Sequence, residues 1–197
     1  HATTISESFN TADSDTLGPD LTWTEVSQAW DVLSNQARGN YSGAAANASA
    51  RAESALSSDD HYTQVDVVAM ATPAGRFGGP AARFESGANT FYVARLFGDG
   101  AYRVSKCVAG TYTALGTGTT QTLSLPDTLK ISVDGSTIAY FFNGASAESF
   151  TATSITGNLL TGMVANSGTA KTTLDIFSAA DLAAAADDTV LQIITIQ

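Results

Sequence analysis

Glycoside hydrolysis needs two carboxyl groups facing each other across the bond to be broken. Five glutamates are available for that work, Glu7, Glu25, Glu53, Glu85 and Glu148, and each stands isolated in the chain. A Ser-His-Asp triad would have to draw on His1 or His61, and there is no Gly-x-Ser-x-Gly elbow to present the serine. His61 follows Asp59-Asp60 at the opening of a strand, so its expected partner is a carboxylate at a loop edge. Hard oxygen ligands gather in one acidic turn, where Asp13 and Asp15 lie near Asn10 and the carbonyls of Gly18-Pro19. That chemistry suits calcium, although the spacing of an EF-hand loop is missing and the same residues serve equally as turn formers. Recognition chemistry is better supplied. Arg83, Arg95 and Arg103 would form a ligand-binding row if three neighbouring strands align them, with Tyr62 as a further contact. Phe91, Tyr92, Tyr102, Tyr112 and Tyr140 offer rings for stacking, or equally for cross-strand packing.

Strands must position these groups, because strand signals are abundant. Thr63–Ala69, Ala81–Glu85, Thr90–Phe97, Ala101–Ala109, Thr111–Gly116, Leu129–Val133, Ile138–Phe142, Leu159–Ala165 and Thr172–Phe177 are short, alternating or rich in β-branched and aromatic residues. Gly98-Asp99-Gly100, Asp134-Gly135 and Asn143-Gly144 punctuate them as hairpin turns, Asp-Gly suiting a type I′ turn. Residues 90–144 read as one meander of antiparallel hairpins. Alternation in Thr90–Phe97 puts Phe91, Val93, Arg95 and Phe97 on one face and Tyr92, Ala94 and Leu96 on the other, while Arg103, Ser105 and Cys107 share a face of the next strand. Ala44–Leu56 is alanine-rich and fits a weak helix, a loop or an irregular strand. Ala179–Ala186, after Ser178, fits a single capped turn.

The chain has 197 residues, 9 basic against 19 acidic, for a formal net charge of −10. None of the first 37 residues is Lys or Arg. Such a surface repels phosphate backbones and argues against nucleic acid as a partner. One cysteine, Cys107, excludes an internal disulfide and a cysteine-based zinc site. No apolar run approaches the length of a membrane-spanning helix, and the low-charge surface rich in Thr, Ser, Ala and Gly suits an extracellular or virion exterior. Asn40 and Asn47 stand in glycosylation sequons that matter only in a eukaryotic secretory pathway.

The opening stretch Glu7–Arg38, with Phe9-Asn10, Asp13–Gly18, Trp23 and Trp30, resembles the start of concanavalin A-like, or laminin-G-like, modules of bacterial surface proteins, polysaccharide-degrading enzymes and phage structural proteins. HYTQVDVVA, GGPAARFES, LKISVDGSTIAYFFNG and TTLDIFSAADL follow in the same order, so the likeness spans about residues 5–182. The resemblance implies an all-β fold: a two-sheet antiparallel jelly-roll sandwich over residues 1–182, with Trp23 and Trp30 in its core and ligands on its concave sheet. It also implies a last body strand beside the first, which would bring Asp175 to Asp13 and Asp15 around one structural calcium. The Glu-x-Asp-x-x-Glu strand typical of the hydrolase branch is absent, and Tyr62, Gln64 and His61 lack the companion motifs of the lyase branch.

The expectation is therefore a non-enzyme: a module for surface binding, carbohydrate recognition or adhesion, with a glycan or another surface protein as partner. The alternatives are a structural virion protein of the capsid-decoration kind, and a polysaccharide hydrolase or lyase. Residues 183–197 read as a linker and an extension strand whose two faces are both apolar, through Val190, Leu191, Ile193, Ile194 and Ile196. Such a strand pairs within its own sandwich or serves as a docking or oligomerisation arm for a homo-oligomer or surface assembly.

Overall fold

The computed structural model describes residues 2–41, 46–71 and 75–183. In chain order its strands are β1 (Thr4–Glu7), β2 (Trp23–Ser27), β3 (Trp30–Leu33), β4 (Gln36–Gly39), β5 (Ala46–Ala52), β6 (His61–Ala69), β7 (Phe77–Phe84) and β8 (Phe91–Phe97). They continue with β9 (Ala101–Val108), β10 (Thr111–Ala114), β11 (Thr119–Thr120), β12 (Asp127–Asp134), β13 (Thr137–Phe142), β14 (Ala145–Thr151), β15 (Leu160–Ser167) and β16 (Thr173–Asp181). The first sheet runs β14-β13-β12-β6-β16-β4-β3, with β1 also on β16; the second runs β10-β9-β8-β7-β15-β5-β2, with β11 also on β9. All strand pairs are antiparallel. The stretch expected to be one meander is thus two, β8-β9-β10 in one sheet and β12-β13-β14 in the other.

The sandwich follows from alternation. In β6 His61, Thr63, Val65 and Val67 are buried while Tyr62, Gln64, Asp66 and Val68 between them are half-exposed, and β12 repeats the pattern with Leu129, Ile131 and Val133. These inward rows meet Tyr92, Ala94 and Leu96 of β8 and Tyr102 and Val104 of β9 across the core. Tyr102 packs edge-on against Tyr140 at 4.5 Å between ring centroids, and its hydroxyl donates to the Phe141 carbonyl at 2.7 Å. Trp30 is fully buried, whereas half-buried Trp23 closes one edge, 4.9 Å from Phe177. Losing a buried ring such as Phe177 would cost about 3–5 kcal/mol.

Two segments that carried helix signals are strands. Ala46–Ala52 forms β5, whose Ala48, Ala50 and Ala52 face the core. Alanine serves there as a small inward side chain rather than as a helix former. Ala179–Asp181 continues β16 instead of starting a helical turn. The extension-strand residues Val190, Leu191, Ile193, Ile194 and Ile196 lie outside the described residues.

The N-terminal segment is tied down by one carboxylate. Buried Glu7 accepts the backbone amides of Phe9, Asp20 and Leu21 at 2.9–3.0 Å and the Trp23 indole N–H at 3.4 Å. Four donors on one carboxylate offset the cost of burying its charge. At the other end of the chain Asp181 accepts the amides of Thr3, Ser57 and Ser58. Burial alone would raise its pKa; the hydrogen bonds from Ser57, Thr3 and Ser58 outweigh that and hold it below the usual carboxylate value.

Candidate functional site

The second sheet has two buried faces. One faces the partner sheet; the other points outward, yet Phe77, Ala81, Phe84, Phe91, Val93, Cys107 and Val164 on it form a buried cluster of their own. The half-buried Tyr112, Phe97, Leu160 and Val26 pack against that cluster. Small residues let the strands draw close. A Cβ on Gly79 of β7 would fall 1.8 Å from the Ala94 carbonyl oxygen of β8, and one on Gly162 of β15 would fall 2.3 Å from the Ala50 oxygen of β5.

Onto this floor the hairpin at Gly98-Asp99-Gly100 brings Arg95 of β8 directly opposite Arg103 of β9. The Arg95 guanidinium sits 4.9 Å from the Phe77 ring, 5.1 Å from Phe97 and 4.9 Å from Tyr112, and donates to the Ser105 hydroxyl at 2.5 Å. Arg103 stands exposed on the other flank of Phe97, at 5.3 Å. Desolvation first, and the Arg103 charge after it, pull the Arg95 pKa below its ordinary value. Beside them, burial pushes the Cys107 thiol up to about 11 and the Tyr112 hydroxyl well above the usual phenol value. Neither is a nucleophile or a proton carrier at neutral pH. The strands β5, β7, β8, β9, β10 and β15 contain no Asp or Glu.

The other anticipated ligand residues go elsewhere. Arg83 lies in β7 but does not join the row: Gly79, not Arg83, stands level with Arg95. Arg83 takes up the extra residue where β7 slips against β15, with φ of 49°, and is 1% exposed. Freed from the ladder, its backbone N–H donates to His61 Nε2 at 3.1 Å. Its guanidinium donates to the Asp59 carbonyl at 2.8 Å, the Ile155 carbonyl at 3.3 Å and the Asp60 carboxylate at 3.1 Å. It is a latch between β7 and two loops. His61 itself is buried, bonded to a backbone carbonyl (Ser58, 3.0 Å from Nδ1) and a backbone amide rather than to the carboxylate expected of a loop-edge histidine. Tyr62 is on the outward face of the opposite sheet, with the Lys130 ammonium 5.5 Å from its ring. Among the other rings, Tyr92, Tyr102 and Tyr140 belong to the inter-sheet core.

The three aspartates expected around a calcium are not brought together. Asp13 and Asp15 line an open concavity of about 290 Å³ together with Asp31 and Arg38. Arg38 already supplies the cation there, in a two-pronged pair with Asp31 at 2.7 and 2.8 Å, and one Asp13 oxygen accepts the Ser34 amide at 2.8 Å. Asp175 is paired in register with Asp66 on β6 and accepts the Ile176 amide at 2.8 Å. Asp13, Asp15 and Asp175 therefore do not meet, and among the described residues no three Asp, Glu, His or Cys side chains gather as a metal would require.

No family model matches the sequence, and no curated protein matches it either. Solved structures do. The carbohydrate-binding module CBM66 from Bacillus subtilis superposes with a TM-score of 0.62 at 15% identity, over 80% of this chain and 93% of that one. The exoplasmic/lumenal domain of VIP36 superposes with a TM-score of 0.64 at 10% identity, over 93% and 95%. The endo-beta-1,3-glucanase from Pyrococcus furiosus gives 0.60 at 7% identity, over 91% and 94%.

The chain has the concanavalin A-like jelly-roll fold. At these identities the likeness is one of fold, and this jelly roll hosts a carbohydrate-binding module and an endo-glucanase alike. Of the residues on its outward-curled sheet, Phe77 escapes a sequence reading. Gly78-Gly79-Pro80 looks like a turn and hides the alternation Phe77, Gly79, Ala81 that leads to it.

Proposed function

We propose that the chain is a non-catalytic glycan-recognition module of the secreted or surface-exposed kind, binding through the outward face of its second sheet. The observation that carries this reading is the composition of that face: a guanidinium stacked among three aromatic rings, a second guanidinium beside it, and no carboxylate on six strands. Sites for small polar ligands combine apolar walls with a few fixed polar groups, which is this arrangement. Both hydrolysis by paired carboxylates and catalysis by a low-pKa thiol lack their reagents on these strands. The neighbouring folds named for carbohydrate binding support the choice of ligand class.

Affinity electrophoresis through gels containing individual polysaccharides, run beside a reducing-sugar assay on the same polymers, tests it. The expected result is retardation by at least one polymer, lost on Arg95→Ala, with no new reducing ends. Release of reducing ends by the pure protein, abolished by a single substitution, would replace this reading with an enzymatic one. Retardation by none would overturn it.

A further inference from the structure

Arg95 and Arg103 pose an electrostatic problem that the protein does not solve by itself. They are cross-strand partners, and like charges directly opposite one another in a sheet repel. Both guanidiniums lie within 5.3 Å of a single ring, that of Phe97. Three of the other four arginines are neutralised, Arg38 by Asp31, Arg51 by Glu53 and Arg83 by Asp59 and Asp60; the fourth, Arg76, forms no ion pair with a described residue and donates to the Asn166 side-chain oxygen at 3.1 Å. Arg95 and Arg103 form no ion pair with any described residue, in a chain carrying 19 acidic side chains. The Nε of Arg95 is buried and has no hydrogen-bond partner. Leaving a buried donor unsatisfied costs free energy.

On that geometry, and resting on the glycan-binding reading above, we infer that Arg95 and Arg103 together bind the carboxylate of an acidic sugar, so that the ligand class is a uronic-acid-containing polysaccharide. A guanidinium fork matches the two oxygens of a planar carboxylate. The half-exposed Phe97 ring gives the sugar an apolar contact beside the charge. The surrounding field favours the same choice: in a protein of net charge −10, strands β7 to β10 carry no carboxylate, so the two unpaired cations of β8 and β9 draw an anion to this part of the sheet. Ser105, hydrogen-bonded to Arg95 at 2.5 Å, fixes the orientation of the fork.

Calorimetric titration with oligogalacturonate, with its methyl ester, and with a neutral β-glucan oligosaccharide tests the inference, with a sulfated oligosaccharide as a fourth probe. The acid form is expected to bind at least about tenfold tighter than its ester, and Arg103→Gln to remove that preference. Raising the salt concentration should weaken the acid and leave any residual ester binding unchanged. Arg103 is exposed, so the variant should melt with the wild type, and circular dichroism checks that it does. Equal affinity for acid and ester, or a preference that survives Arg103→Gln, overturns the uronate assignment. So does tighter binding of the sulfated probe. Binding of the neutral glucan alone would overturn this inference and leave glycan recognition standing; binding of no sugar would remove both.

Discussion

Replacing Arg83 by methionine separates a structural arginine from a ligand-binding one. Methionine keeps much of the volume of the side chain and removes all its donors. The two backbone carbonyls of Asp59 and Ile155 lose their partners inside the protein, and each buried acceptor left unsatisfied costs about 1–3 kcal/mol. The two carboxylates contribute less. Asp59 and Asp60 have side chains 36% and 42% exposed, so water replaces the guanidinium and the ion-pair share is discounted to under about 1 kcal/mol. The sum is a loss of about 2–7 kcal/mol, a span that contains the cost of removing one partner of a buried charge pair. Urea unfolding followed by the fluorescence of Trp23 and Trp30 measures it, with an unchanged slope showing that the same surface is exposed. Asp60→Asn, which keeps an oxygen facing Arg83, should cost under about 1 kcal/mol. Arg103→Gln, on the exposed flank of Phe97, should fall within about 0.5 kcal/mol of the wild type. A loss below about 1 kcal/mol for Arg83→Met would refute the latch and return Arg83 to the list of candidate ligand contacts.

Three further outcomes follow from named residues. His61 must stay neutral for Nε2 to accept the Arg83 amide, and burial chiefly lowers its pKa below the ordinary 6.5. The unfolded chain therefore takes up this proton first, so the stability His61 contributes is full above pH 6.5 and drains away as pH falls towards its folded value. The slope is at most about 1.4 kcal/mol per pH unit, and His61→Gln should flatten it in urea titrations between pH 7 and 5. Ile176 holds φ at 44° while 54% exposed, a left-handed conformation costly for a β-branched residue. Ile176→Asn should stabilise by about 0.5–1 kcal/mol and raise the melting temperature by about 1–4 °C in calorimetry. Cys107, buried with a thiol pKa of about 11, should resist thiol reagents at pH 8 until urea unfolds the chain; rapid labelling of the native protein would contradict its placement.

The sandwich was legible wherever one face of a strand is apolar and the other is not. In β6 and β12 the alternation alone separates core from surface, and the Gly98-Asp99-Gly100 turn fixes the pairing of Arg95 with Arg103 by simple register. Legibility failed where special backbone geometry takes over. The sequence reading begins this strand at Ala81, yet Phe77, Gly78, Gly79 and Pro80 already belong to it and all eight of its residues are buried, glycine being what lets neighbouring strands approach so closely. The bulge that turns Arg83 away from the arginine row leaves no mark in an alternation pattern. Asp134-Gly135 marks a hairpin, but the central pair is Gly135-Ser136 and only Gly135 has positive φ, the pattern of a type II′ rather than a type I′ turn. The grouping of Asp175 with Asp13 and Asp15 turned on distant pairings that alternation does not mark: Arg38 pairs with Asp31 beside the acidic turn, and Asp175 belongs to the row of Asp66.

Glycan recognition on the second sheet is tested most directly by titrating 15N-labelled protein with an acidic oligosaccharide and mapping the amide shifts. The expected perturbations centre on Arg95, Phe97, Arg103, Ser105 and Tyr112, saturate with one ligand per chain, and disappear in Arg103→Gln. Shifts centred instead on Tyr62, Lys130 and Phe141, across the sandwich on the first sheet, would contradict the account, as would a ligand found cleaved at the end of the titration.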